Sequence, residues 1–180
     1  MNEQELVEKA KNGDQRSFSK LMDSYMSYVY RLALRMLGNE MEAEDVTQEV
    51  FIKAYKSLKA FRGKSQFKTW LYRIAVNQSL KAIKKQKIVK QHVIDEIEDK
   101  VNNNAENPLD SVIQAEQKDY LNRSIKNLPP KQKAILLLRV NDEMSFKDIA
   151  AIMKRSVGAV KANYFHAIQN IQSQINGEIS

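Results

Sequence analysis

Arg73, Asn77 and Lys81 recur every four residues, so on a helix they form one stripe in which two cations can follow a phosphate backbone while the amide between them reaches a base edge. Just ahead of them, residues 61–68, FRGKSQFK, mix Phe61 and Phe67 with Arg62, Lys64 and Lys68 around Gly63 and Ser65. A loop of that composition can stack its rings on unpaired bases, at roughly 1 to 3 kcal/mol per base, and hold the strand with its cations. Further upstream, Asp45, Gln48, Glu49 and Ile52 fall at offsets of zero, three, four and seven. An isoleucine exposed beside two acids is the pattern of a docking face for another protein. The chemistry available here is recognition.

These residues need helices to place them. Val46, Val50, Ala54 and Leu58 recur every four positions and mark the buried stripe of the helix that carries the acidic face. A helix from Phe67 to about Lys85 buries Phe67, Trp70, Leu71 and Ile74 and presents Arg73, Asn77 and Lys81 elsewhere. A long helix before them carries Phe18, Leu21, Met22, Tyr25, Val29, Leu32 and Met36 as a sustained core stripe and ends at Gly38-Asn39. A short first helix, residues 3–11, stops at Asn12-Gly13.

The 180 residues carry a formal net charge of +7, unevenly spread. Residues 1–90 hold 18 Lys and Arg against 10 Asp and Glu, residues 91–117 one against seven, and residues 118–180 ten against five. Two basic modules flanking an acidic connector favour a polyanionic partner such as DNA or RNA. No run of 18 uncharged apolar residues and no signal-peptide pattern occurs, so the expected location is cytoplasmic, without membrane insertion. Zero cysteines exclude disulfides and thiolate metal sites, and two isolated histidines make no zinc pattern, so neither metal nor cofactor is expected. With no phosphate-binding Gly-rich loop and no carboxylate pair beside a base, an enzyme is not expected either.

After Lys87 the chain turns acidic and Asn-rich, which places a linker at residues 88–107, with at most a helical turn around Val93 to Ile97. About 17 fully polar residues there would reach ~58 Å when extended and average ~23 Å as a coil. Such a linker lets two modules grip separate segments of one DNA. Pro108 then opens a helix with Leu109, Val112, Ile113, Leu121 and Ile125 as core candidates, and Leu128-Pro129-Pro130 restarts the chain into a largely buried helix, residues 131–140. Ser145 and Asp148 form a capping box that starts a short helix. A four-residue turn, residues 154–157, leads to a second helix with Val157, Val160, Tyr164 and Ile168 or Ile171 inward. Two helices at so tight a turn fit a helix-turn-helix, whose second helix enters the major groove N-terminus first. Its outward residues include Lys161, Asn163, Phe165 and His166, with Arg155 in the turn suited to a phosphate. The expected fold is all-α: two small helical domains, 1–87 and 108–180, joined by a flexible linker at 88–107, the C-terminal one a helix-turn-helix.

The runs EDVTQEVFIKAY and FKTWLYRIAVN resemble region 2 of the sigma-70 family of bacterial transcription initiation factors, in its extracytoplasmic-function group, and SFKDIAAIMKRSVGAVKANYFHAIQ resembles the family's region 4. The resemblance implies a factor that binds core RNA polymerase and makes it promoter-specific. Residue by residue, it implies that Asp45, Gln48, Glu49 and Ile52 dock on the polymerase, that Phe61, Lys64 and Phe67 capture an unstacked base of the minus 10 element, and that Arg73, Asn77 and Lys81 hold that strand. Arg155, Lys161, Asn163, Phe165 and His166 would hold the minus 35 element. An anti-sigma factor is a partner implied by the family alone. Asn163, His166, Ile168 and Gln169 depart from the family's usual arginines, which implies weaker phosphate contact in this module. The competing reading is a free-standing helix-turn-helix regulator, which leaves the stretch 43–87 unexplained.

Overall fold

A computed structural model describes residues 2–94 and 121–178, and these are helical, with no strand among them. Helix α1, Glu3–Lys11, opens on an Asn2 capping box, in which Glu5 N donates to Asn2 Oδ1 at 2.8 Å and Asn2 N donates back to the Glu5 carboxylate at 3.2 Å. Helix α2, Gln15–Leu37, is capped by Asp14 and stops at Gly38, whose φ of 72° is the left-handed end that glycine takes without strain. Asn39 caps α3, Glu40–Ser57, which tightens into a single 3₁₀ turn, Leu58–Ala60. Helix α4 runs Phe67–Ile94. Residues 121–126 form α5, Pro129-Pro130 starts α6, Pro130–Val140, and α7, Phe146–Met153, and α8, Val157–Glu178, complete the order.

The α3 stripe Val46, Val50, Ala54 and Leu58 is buried as its spacing requires, against Leu21, Val29, Leu32 and Met36 of α2 and Leu71, Ala75 and Val76 of α4. In the C-terminal half, Ile149 and Ile152 of α7 and Val160 of α8 pack with α6, while Leu128, Leu136, Ala167 and Ile171 make a second small cluster. The two halves also meet. Helix α4 packs against α7 and α6, α2 packs against α6, and the buried side chains form one continuous core across the boundary. That contact explains why six consecutive α6 residues, Lys133 to Leu138, are all buried: a helix covered on two sides has no polar face to offer water.

Several expectations change. Helix α4 does not stop near Lys85 but runs on through Ile94, the last described residue of this stretch, and so takes up the first residues of the linker expected at 88–107; no Gly or Pro interrupts it. The rest of the expected linker lies outside the described residues, as do Leu109, Val112 and Ile113. Leu121 is exposed and not core, whereas Ile125 packs on the second cluster. The helix-turn-helix turn is shorter by one, residues 154–156, because Ser156 caps α8 by accepting from Ala159 N at 3.1 Å. Val157 is therefore exposed, and Ala167 fills an inward position instead.

Lys133 is 6% exposed and donates to the Met36 carbonyl at the end of α2, at 3.3 Å. Burial, with Lys126 nearby, holds its ammonium below the usual lysine range. A charge kept there at neutral pH costs stability, and the cost falls as rising pH neutralises it. Lys133→Met should therefore raise stability by about 1 kcal/mol, read as an upward shift in thermal midpoint. A lower midpoint would show that the Met36 contact outweighs desolvation.

Candidate nucleic-acid and partner interfaces

The acidic face of α3 is where the spacing put it. Asp45, Gln48, Glu49 and Ile52 are all exposed, Ile52 at 54%. Glu49 is not free, since Gln78 Nε2 of α4 donates to it at 2.5 Å while Lys53 donates to the same Gln78 amide. That chain fixes the acidic face onto α4. Beside Ile52 opens a groove of about 480 Å³ lined by Phe18, Met22, Met26, Gln48, Phe51, Ile52, Tyr55 and Lys56. Sequence reasoning missed it by giving Phe18 and Met22 wholly to the core. The signal was present: Phe18, Met22 and Met26 repeat every four residues beside the deeper stripe.

The rings of the aromatic loop are buried. Phe61 is 8% exposed and Phe67 5%, and their ring centroids lie 6.1 Å apart, with Trp70 at 5.1 Å from Phe61 and 5.5 Å from Phe67, and Tyr25 at 5.6 Å from Phe67. As the structure stands, neither ring is on the surface to stack on a base. Phe61, Phe67 and Trp70 in mutual contact, with Tyr25 added through Phe67, bury more apolar area than a short loop can leave in water, so the cluster forms the loop's floor. The exposed part of the loop is Arg62, Gly63, Lys64 and Gln66. Gly63, at φ 67°, makes the turn that lifts Lys64 outward.

On α4, Arg73 is half-buried, with a buried Nε that has no hydrogen-bond partner, while Asn77 and Lys81 are exposed. Asn77 does not face open solvent alone. With Val76 and Leu80 it lines a cleft of about 420 Å³ whose other wall is Lys131, Ile135, Met153, Arg155, Ala159 and Asn163. One residue of the α4 stripe and two of the helix-turn-helix set thus share a single cleft between the halves.

In the helix-turn-helix, Ser145 accepts from Asp148 N at 3.1 Å, and Asp148 reaches back to the Ser145 hydroxyl at 2.5 Å instead of to backbone, so the capping box forms in a side-chain variant. Phe146 wedges against Tyr164 at 5.5 Å, with Arg139 above its ring at 4.9 Å. That contact ties α7 to α8 beside the core residues Ile149, Ile152 and Val160. Arg155, Lys161, Phe165 and His166 are exposed, Phe165 at 59%, but Asn163 turns back to donate to the Ala159 carbonyl at 2.8 Å. The exposed set can contact phosphates through Arg155 and Lys161 and base edges through His166 and the Phe165 ring.

At the seam, the Tyr72 hydroxyl of α4 donates to Asp142 Oδ1, in the α6–α7 turn, at 2.9 Å. Burial pushes both groups up in pKa, and the negative charge of Asp142 adds to the effect on Tyr72. The hydrogen bond, Lys68, Arg35 and Arg31 all act on Asp142 in the opposite sense.

Compared with known proteins, the chain matches the family model for Sigma-70 region 2 over residues 21–99 and that for Sigma-70 region 4 over residues 118–171. It is 32% identical to the ECF RNA polymerase sigma factor SigW of Bacillus subtilis (strain 168), across 94% of each chain. It is 35% identical to the ECF RNA polymerase sigma-E factor of Escherichia coli (strain K12), across 97% of this chain and 95% of that protein. Among solved structures it is similar in fold to CnrH in complex with the cytosolic domain of CnrY, with a TM-score of 0.69, 20% identity and 96% of each chain covered. It is similar in fold also to the sigma factor RpoE of Bartonella quintana in complex with the anti-sigma factor NepR, with a TM-score of 0.67, 19% identity, and 89% of this chain and 98% of that one covered.

Proposed function

The chain belongs to the sigma-70 family, in its ECF group, and so binds core RNA polymerase and directs promoter-specific transcription initiation; from that premise we propose which face does which part of the work. The observation that carries the reading is that both regions match in order on one chain that covers nearly the full length of its relatives. The unit 2–94 acts as the polymerase and minus 10 module and the unit 121–178 as the minus 35 module.

Asp45, Gln48, Glu49 and Ile52, together with the groove at Met22, Met26 and Tyr55, dock on the polymerase: exposed apolar side chains ringed by polar ones suit a protein partner. Arg73, Asn77 and Lys81 hold the minus 10 strand, with Lys64 at the loop tip. Phe61 and Phe67 support that loop from beneath, so base capture falls to its exposed tip or requires the cluster to open. Trapping a base as it leaves the stack offsets part of the unpairing cost. The factor contributes recognition and needs no reaction of its own, and it works in the cytoplasm because its polymerase partner does. An anti-sigma factor is a further proposed partner, as the Bartonella RpoE structure contains one; a pull-down that returns only polymerase subunits would count against it.

Run-off transcription with purified core polymerase tests the whole reading. Specific transcripts should appear only when the chain is added. Their absence, with a discrete DNA site still shifted by the chain alone, would make it a free-standing regulator.

For the helix-turn-helix, Arg155→Ala with Lys161→Ala should weaken minus 35 binding across all sequences and lower the log–log salt slope by about 2, near 0.9 for each phosphate left without its cation. An unchanged slope in a salt titration would show that neither residue touches a phosphate.

A further inference from the structure

We propose that Met26 of α2 and Met41 of α3 form an oxidation-sensitive site on the polymerase-docking face: a peroxide converts them to sulfoxides in the free factor, and the sulfoxides weaken docking. Among the described methionines these two are the exposed ones, Met26 at 39% and Met41 at 74%. Met22 and Met153 are partly covered, and Met36 and Met144 are buried. Met26 lines the apolar groove beside Ile52, together with Met22 and the rings of Phe18, Phe51 and Tyr55. Met41 stands four, seven and eleven residues before Asp45, Gln48 and Ile52, which puts it on the same side of α3. The chain has no cysteine, so no thiol of its own competes for the oxidant.

A thioether suits a groove that must fit a partner, because it is unbranched, polarisable and packs well against rings. The same sulfur is its weak point. The sulfur lone pair attacks one oxygen of hydrogen peroxide, an S–O bond forms as the O–O bond breaks, and the proton on the transferred oxygen leaves with the departing hydroxide as water. Sulfur loses two electrons and the peroxide gains them. The product carries a strong dipole and an acceptor oxygen where the surface was apolar. In the free factor water satisfies that oxygen, so the fold tolerates it. Pressed into an apolar contact it loses its hydration and finds no donor on Phe18, Phe51 or Ile52, which costs about tenfold in affinity. The core methionines, Met36 and Met144, lie out of the oxidant's reach, so the reaction bears on docking and not on stability.

This inference rests on the polymerase-docking reading above. The full chain is treated with hydrogen peroxide, conversion at each methionine is read by peptide mass spectrometry, and equilibrium binding to labelled core polymerase is measured before and after. Met41 and Met26 should convert first while Met36 and Met144 stay reduced, and affinity should fall about tenfold with the thermal midpoint unchanged. Methionine sulfoxide reductases of both stereospecificities should restore the affinity. The variant carrying Met26→Leu and Met41→Leu, compared only with itself, should bind as well after treatment as before it. Polymerase bound beforehand should slow conversion at both positions severalfold.

If affinity survives full conversion of Met26 and Met41, or falls as far in the leucine variant, the site is overturned. It is overturned too if bound polymerase leaves both methionines unshielded, or if the midpoint drops with the affinity. An untreated chain that fails to bind polymerase would overturn the docking reading itself and this inference with it, so the two failures are distinct.

Discussion

Phe67→Ala should lower the unfolding free energy by about 3 to 5 kcal/mol, the range for deleting a buried ring from a packed core. Phe67 touches Phe61, Trp70 and Tyr25 and begins α4, so the void opens at the junction of the loop and two helices. Against a typical total of about 5 to 15 kcal/mol, that is a large fraction of the fold's stability. Urea unfolding measures it directly. Phe67→Leu, which keeps most of the volume, should cost less than about 1.5 kcal/mol. A loss below about 1 kcal/mol for Phe67→Ala would mean that the ring is not held in the cluster and is free to meet a base after all. The Leu variant then separates the two roles: with the fold kept, slowed promoter opening would show that the ring itself works on DNA.

The second large effect belongs to the docking face. Ile52→Ala with Tyr55→Ala should weaken binding to core polymerase by about 2 to 4 kcal/mol, a loss of roughly 30- to 1000-fold. Both side chains are about half exposed, Ile52 at 54% and Tyr55 at 47%, so the fold should survive unaltered. Asp45→Ala, at the rim, should act more weakly and chiefly through the association rate at low salt. Glu49→Ala is a different experiment, because it also strips the Gln78 amide of its partner on α3. Equilibrium binding to labelled core polymerase distinguishes these outcomes. Full affinity in the Ile52 and Tyr55 double variant would return the groove to an unpartnered surface.

What could be read from the chain alone was whatever depends on neighbours within a few residues. The α3 stripe, the stop at Gly38, the proline start of α6 and the Ser145 cap follow from short-range sterics and hydrogen bonding, and each is where spacing placed it. The exposure of Asp45, Gln48, Glu49 and Ile52 followed for the same reason, as the far side of a helix whose buried stripe was legible. Family membership was legible too, because both motifs are local runs of residues.

Tertiary structure decided the rest. Phe61 and Phe67 suit a base-stacking loop or a buried cluster equally well by residue type; their burial comes from Tyr25, on a helix forty residues upstream, and from Trp70, which pack against them. The groove beside Ile52 is walled by residues of both α2 and α3, and the meeting of Tyr72 with Asp142 needs two halves brought together. No periodicity encodes such contacts. Helical spacing says which side of an element is apolar, but burial from a second side, as on α4 and α6, is set by what packs there, and that depends on residues far away in the sequence.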